Sequence, residues 1–456
     1  MSNNHNTAPR LRELEVRAET LIENGRLERL KKLLAGYNDA EITEVIKQLD
    51  SRHGLILFRL LPPQQAGEIF SNLSYNQRNR LLRSFSDGEV SQLLNSLDPD
   101  DRTAVLEELP AEIVQKLLNF LSAKSLRQAK QLLGYPEESI GRLMTPEFIT
   151  VRPRWTVGRA LEHVRNLGES SETIKTIFVT ENFNLLDDIS IKDLVTAASE
   201  TKLSELMDQK FISISPYEDR EKGIRLMQEN DLYVLPVVNR AGKLLGIVTM
   251  DDIMDVARSE TTEDFQRLGG GEPLNFPYWD VSLFWLVRKR IGWLMFLFFG
   301  GAMTSAVIGK FESQLESVII LSYFIPLIIN TGGDAGSQSI STVIRAIAIG
   351  EIQWSDGFRV VFRETVSGFL LGLMMGAGGY LFTALVWGSG LWISLVIAFT
   401  LLAICTWSNF IASCIPLVAG RIGLDPTLMS VPLITTLVDA TGLIIYFSIA
   451  TYLLGL

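Results

Sequence analysis

Two carboxylates sit where carboxylates are costly. Asp334 lies in FIPLIINTGGDAGSQ (residues 324–338) and Asp439 in LMSVPLITTLVDATGLIIYF (residues 428–447), each within or against a long apolar run. An ionisable group at membrane depth is by default a functional-site hypothesis, and two of them point to a path for a cation. One Pro and three Gly around Asp334 predict a broken backbone. At that depth such backbone is tolerated only within protein or along a water-filled cavity. Asn330, Thr331 and Gln338 near Asp334, and Asn409 in a further run, supply more oxygens. The plainer alternative for each acid is a place at a helix end among lipid headgroups.

Ligand chemistry narrows the ion. The three histidines, His5, His53 and His163, all precede the apolar runs, and both cysteines, Cys405 and Cys414, lie in one such run. That leaves no disulfide scaffold and no paired-cysteine metal site. Oxygen donors remain, which favours magnesium, calcium or manganese over zinc or copper. Magnesium gives up its waters reluctantly and is usually held through few carboxylates. Its pore therefore needs a wide ring of acceptors around bound water, with one or two acids for charge. A two-fold dimer would double each carboxylate.

A second set of acids is soluble. DDIMDVARSETTEDFQRL (residues 251–268) carries Asp252, Asp255, Glu260 and Glu263 at spacings of three, five and three. On a helix these share much of one side, and like charges there repel unless solvated or bridged by a cation. The stretch is a candidate divalent sensor; the alternative is a plain polar connecting helix. Asp98, Asp100, Asp101, Glu107 and Glu108 form another acidic cluster. It is either a solvated face or part of a regulatory cation site shared with the next domain.

The elements that position these groups follow from patterning. The net charge of −10 belongs wholly to the first 280 residues, with 34 Lys+Arg against 44 Asp+Glu; from Val281 the counts are eight and eight. The acidic part, without a basic stripe, is a poor nucleic-acid surface. No signal peptide is expected before residue 30. Five apolar runs, near 290–309, 317–345, 365–387, 391–419 and 431–455, are each long enough to cross a bilayer. Arg288, Lys289, Arg290, Arg345, Arg359, Arg363 and Arg421 fall on one side of them and Lys310 on the other. The positive-inside rule puts the seven-cation side, with the N-terminal half, in the cytoplasm and the C-terminus outside. Phe276, Tyr278, Trp279, Phe284 and Trp285 read as an interfacial aromatic belt.

From residue 37 to 133 large apolar residues recur every twelve positions, from Leu49 and Leu61 to Leu121 and Leu133. The residue after each is mostly a helix starter, in the series Asn38, Asp50, Pro62, Ser74, Ser86, Asp98, Pro110, Ser122. Short helices that cannot bury their apolar faces alone stack as an α-solenoid. Residues 140–255 hold a second repeat, IGRLMTPEFITVRP with LSELMDQKFISISP and LLDDISIKDL with LLGIVTMDDI. This pair resembles tandem CBS domains, small α/β modules that often bind adenine nucleotides. Copy two has the pattern Gly246, Thr249, Asp252. Gly would admit a ligand close to backbone, and Thr and Asp would bond phosphate and ribose. Copy one keeps Asp193 but has Asp187 in place of the Gly, where a carboxylate repels phosphate.

The whole order resembles the MgtE family of magnesium channels over nearly the full chain. The most specific residues are PLIINTGGDAGSQS, GLDP after the fourth run, and PLITTLVDATGLIIYF. The fold class is then multidomain: an N-terminal helical segment (1–36), an all-α solenoid N-domain (37–135) and an α/β tandem CBS pair (136–255). A connecting plug helix and interfacial segment (256–285) lead to an all-α membrane domain of five helices (286–456). The resemblance implies a homodimer in a bacterial-type inner membrane, with a pore between the membrane halves and a magnesium site at Asp439. It implies that cytoplasmic magnesium, bound by Asp252, Asp255, Glu260, Glu263 and by Asp98 and Asp101, closes the channel. ATP on the CBS pair is a further expectation. The family pattern commonly has Asn at the Asp334 position, so a second carboxylate pair in the pore is expected to alter selectivity or block. The expected activity is therefore magnesium import, not catalysis. An intramembrane aspartyl protease also needs two membrane carboxylates, but the Tyr-Asp and Pro-Ala-Leu contexts are missing. A secondary transporter coupled to sodium or protons stays open as the alternative, as does a sensor that transports nothing.

Overall fold

The computed structural model describes residues 4–274, 278 and 281–456. The expected belt residues Phe276 and Trp279 lie outside the described residues. The chain divides into two compact units, Met1–Ser259 and Glu260–Leu456.

The first unit begins with ten helices: α1 (Asn4–Glu23), α2 (Leu27–Leu34), α3 (Asp39–Gln48), α4 (Ser51–Arg59), α5 (Pro63–Ser71), α6 (Tyr75–Ser84), α7 (Asp87–Ser96), α8 (Pro99–Glu107), α9 (Ala111–Leu118) and α10 (Ala123–Leu132). The caps of α3 to α10 are Asn38, Asp50, Pro62, Ser74, Ser86, Asp98, Pro110 and Ser122, the eight residues of the twelve-residue series. The Asn38 side chain accepts the Glu41 N–H at 2.8 Å while the Asn38 N–H donates to Glu41 at 3.0 Å, a closed capping box. Pro62 and Pro110 sit at the cap itself, one residue before the first turn. One continuous core runs from Leu14 to Ala129 and includes the 1–36 segment. Helices two apart pack together, α3 on α5 and α5 on α7, as stacking of half-apolar units requires.

The CBS pair follows. Copy one holds β1 (Thr150–Val151), β2 (Thr176–Glu181) and β3 (Asn184–Ser190), with β1 parallel and β3 antiparallel to β2. Copy two holds β4 (Val234–Val238) and β5 (Leu244–Thr249), antiparallel, with Ile214 bridged to Val237. Their helices are α11 (Ile140–Leu143), α12 (Val157–Leu167), α13 (Ile191–Thr196), α14 (Leu203–Leu206) and α15 (Arg220–Glu229). The connecting helix α16 runs unbroken from Met250 to Leu268.

The second unit contains α17 (Leu283–Lys310), the short α18 (Glu312–Ser317), α19 (Ile320–Ala348), α20 (Gly357–Leu385), α21 (Gly390–Arg421) and α22 (Val431–Leu454). Four of these, α17, α20, α21 and α22, are long and apolar enough to cross a membrane. The 29-residue α19 matches them in length but carries the polar stretch around Asp334. The expected break in that stretch is absent: α19 is continuous, with Pro326 inside it. Its glycines serve packing instead. A Cβ on Gly332 would lie 2.5 Å from Ile404, and one on Gly336 2.5 Å from Ser408. Small residues there let α21 and α22 close on α19. On α20, Gly368, Gly372 and Gly376 do the same against carbonyls of Cys405, Leu402 and Ala398, at 2.6–2.7 Å from a Cβ.

Candidate metal centres

In the membrane unit, α19 presents Asn330, Asp334, Gln338 and Thr342 at four-residue intervals, all exposed. On a 3.6-residue helix these form one winding polar stripe. The opposite face is buried, and there Ser408 Oγ donates to the Gly332 carbonyl at 2.6 Å. Asp439, on α22, is half-buried, and its Oδ1 lies 3.9 Å from the Cβ position of Gly333, the neighbour of Asp334. Thus the two carboxylates found in the sequence flank one seam. Asn409 belongs elsewhere. It is 2% exposed, packed on Gly368 of α20, with its Oδ1 free of any hydrogen-bond partner. Its face, invisible in a uniformly apolar run, is set by the α20–α21 contact. A further acid was missed by sequence reasoning. Glu364 accepts the Ser339 hydroxyl at 2.8 Å and ties α20 to α19.

Where α16 enters the membrane unit, Leu268 packs with Ile340, Ala412 and Ile434. Arg267 bridges Glu263 and Asp425, the Asp of the GLDP motif. Burial raises Asp264 to about 6, with Asp425 and Glu260 adding to it. Asp264 and Asp425 were not singled out by spacing. They meet only because the loop before α22 folds back to the helix end.

In the first unit, acids of three segments lie near enough to raise one another's carboxyls. Asp100 is 9% exposed with Oδ1 unpartnered, and its carboxyl lies well above the usual range through burial, then Asp252 and Glu172. Burial and neighbouring charge likewise raise Asp98 and Asp101, with Asp255 among the charges felt by Asp101. Asp252 rises to about 6 by burial, opposed by the Thr249 hydroxyl donating to it at 2.5 Å. Glu172, in the loop after α12, is pushed to about 8 by burial, then Asp98 and Asp252. The nearby Arg102 donates to the Leu94 and Leu97 carbonyls and offsets part of this charge at Asp98, whose carboxyl still stands above its ordinary value. Glu107 and Glu108, by contrast, are engaged by Arg142 and Arg78. Among the described residues no three Asp, Glu, His or Cys side chains already converge as a metal site.

The residues of the nucleotide pattern also make contacts of their own. A Cβ on Gly246 would meet the Thr145 carbonyl at 2.9 Å and Met144 at 3.0 Å. This glycine therefore admits a backbone segment of copy one, and Thr249 and Asp252 bond each other.

Comparison with known proteins follows the same divisions. A family model described as "Divalent cation transporter" matches residues 325–449, the "MgtE intracellular N domain" residues 37–138, and the CBS domain residues 140–200 and 203–259. The chain is 36% identical over 447 residues to "Magnesium transporter MgtE" of Thermus thermophilus, covering 97% of this chain and 98% of that one. It is 27% identical over 441 residues to the protein of the same name from Bacillus subtilis, covering 96% and 97%. Among solved structures, the cytosolic domain of the Mg2+ channel MgtE in complex with ATP is similar at 30% identity and TM-score 0.51. That match covers 53% of this chain and 99% of that structure.

Proposed function

Since the chain belongs to the MgtE family of magnesium transporters, we propose that it works as a homodimeric channel, importing Mg2+ down its electrochemical gradient. The carrying observation is the exposed stripe of Asn330, Asp334, Gln338 and Thr342 beside Asp439. A carboxylate and amides cannot face lipid unpaired, so a second copy covers the stripe across a water-filled path. Asp439 and Asp334 supply charge, and the amides and hydroxyls address the waters of a hydrated ion. An interior negative by 100 mV favours entry of a divalent ion by about 4.6 kcal/mol. This orientation keeps the N-terminal half in the cytoplasm and the C-terminus outside.

The closing switch is the acidic set Asp98, Asp100, Asp101 and Asp252 in the first unit, with Asp255, Glu260 and Glu263 further along α16. Crowded carboxylates whose neutral forms are favoured are groups that a divalent cation would hold together. ATP on the CBS pair is proposed from the ATP complex of the related cytosolic domain. Patch recording of the reconstituted protein tests the reading. Mg2+ current should appear at low internal Mg2+, fall as it rises, and be lost or lose selectivity in Asp439→Ala. Transport only against an opposing sodium or proton gradient, without current, would establish coupled transport instead.

A further inference from the structure

The two CBS copies treat one position differently. In copy two, Thr145 and Ile247 exchange both backbone hydrogen bonds, at 2.8 and 2.9 Å, alongside Gly246. The internal repeat puts Asp187 and Asp188 at the places of Gly246 and Ile247, and Asp208 at the place of Thr145. Among the described residues no bridge forms between Asp188 and Asp208. The Asp187 carboxylate stands in the gap, and its Oδ2 accepts the Gln209 N–H at 3.0 Å. Its other oxygen, Oδ1, has no hydrogen-bond partner, on a side chain only 1% exposed. A buried charged oxygen left without a partner is strongly unfavourable. Asp188, the next residue on β3, points to the other face of the strand. Asp208 is exposed, so water reaches the cluster from its side.

We propose that Asp187 and Asp208 hold a divalent cation between β3 and the segment entering copy two. Mg2+ suits the place, since it retains several waters and needs only one or two carboxylates. The ion supplies the partner that Oδ1 lacks and replaces the backbone bridge present in copy two. The site is separate from the Asp100–Asp252 cluster, which lies on α8 and α16, and from the membrane acids. It makes copy one a second cation-responsive element, built from the substitution that removes the phosphate-type glycine.

Hydrogen exchange on the full-length protein, titrated with Mg2+, reads the site through the peptide 203–211. At Mg2+ ten times the dissociation constant, exchange of this segment should slow about tenfold, because opening then requires loss of the ion. Asp187→Asn, which keeps an acceptor for Gln209 but removes the charge, should abolish the slowing. Asp208→Asn, a change on an exposed side chain, should weaken it severalfold. Unchanged exchange on adding Mg2+ overturns the proposal, as does equal slowing in Asp187→Asn. Slowing that survives Asp187→Asn yet vanishes in Asp252→Asn also overturns it, by tracing the effect to the other cluster.

Discussion

Asp334 is the residue whose role is most open to direct test. It stands in the middle of the exposed stripe, and the Cβ position of the preceding Gly333 lies 3.9 Å from Asp439 Oδ1. A second acid in a ring of waters strengthens the pull on divalent ions and slows their release. Asp334→Asn should therefore change the relative permeation of Mg2+, Mn2+ and Ca2+, or relieve block, in competition flux assays. Unchanged selectivity and block would remove it from the path. Both membrane carboxylates were legible because charge against an apolar run is a strong signal. Asn409 and Glu364 were misplaced or missed for a physical reason. A helix in a uniformly apolar run gives no periodicity by which to tell its pore side from its packed side, and Glu364 near a helix end looks like headgroup flank.

At the scale of elements, the glycines of α20 are the most discriminating. A Cβ on Gly372 would sit 2.7 Å from the Leu402 carbonyl, backbone that cannot step aside, whereas one on Gly301 of α17 meets nothing within 4 Å. Gly372→Ala should destabilise the membrane unit by roughly 1–3 kcal/mol and lower its unfolding temperature. Gly301→Ala should leave that temperature unchanged or slightly raised, since the residue lies mid-helix. Equal behaviour of the two variants would show that α20 and α21 do not pack this closely. The solenoid helices were legible to the residue because caps are local chemistry. The unbroken α19 was not: Pro and Gly signal a break locally, and only the neighbouring helices show that the glycines are contact points.

For the first unit as a whole, the gathered acids dictate a pH dependence. Glu172 rises from its ordinary 4.5 to about 8, so the folded state binds its proton more tightly than the unfolded state. Its contribution is complete below about 4.5 and is lost as pH rises through 8. Without divalent cations, the thermal stability of this unit should fall across that window. Glu172→Gln should flatten the fall, and added Mg2+ should reduce it. A flat profile in the wild type would mean that these carboxylates are further apart than they stand here.

By itself the sequence determined the succession of parts, the helix starts of the solenoid, the two acids set against apolar runs and the net acidity of the N-terminal half. Each of these is written in short-range chemistry: caps, periodicity, apolar length and charge. Tertiary structure decided which groups meet. It brought Glu172 to Asp98 and Asp252, Asp425 to Arg267, and Asp187 to the Asp208–Gln209 segment. These encounters join residues far apart in the chain through packing, and packing is settled by the whole set of apolar surfaces, not by any local run.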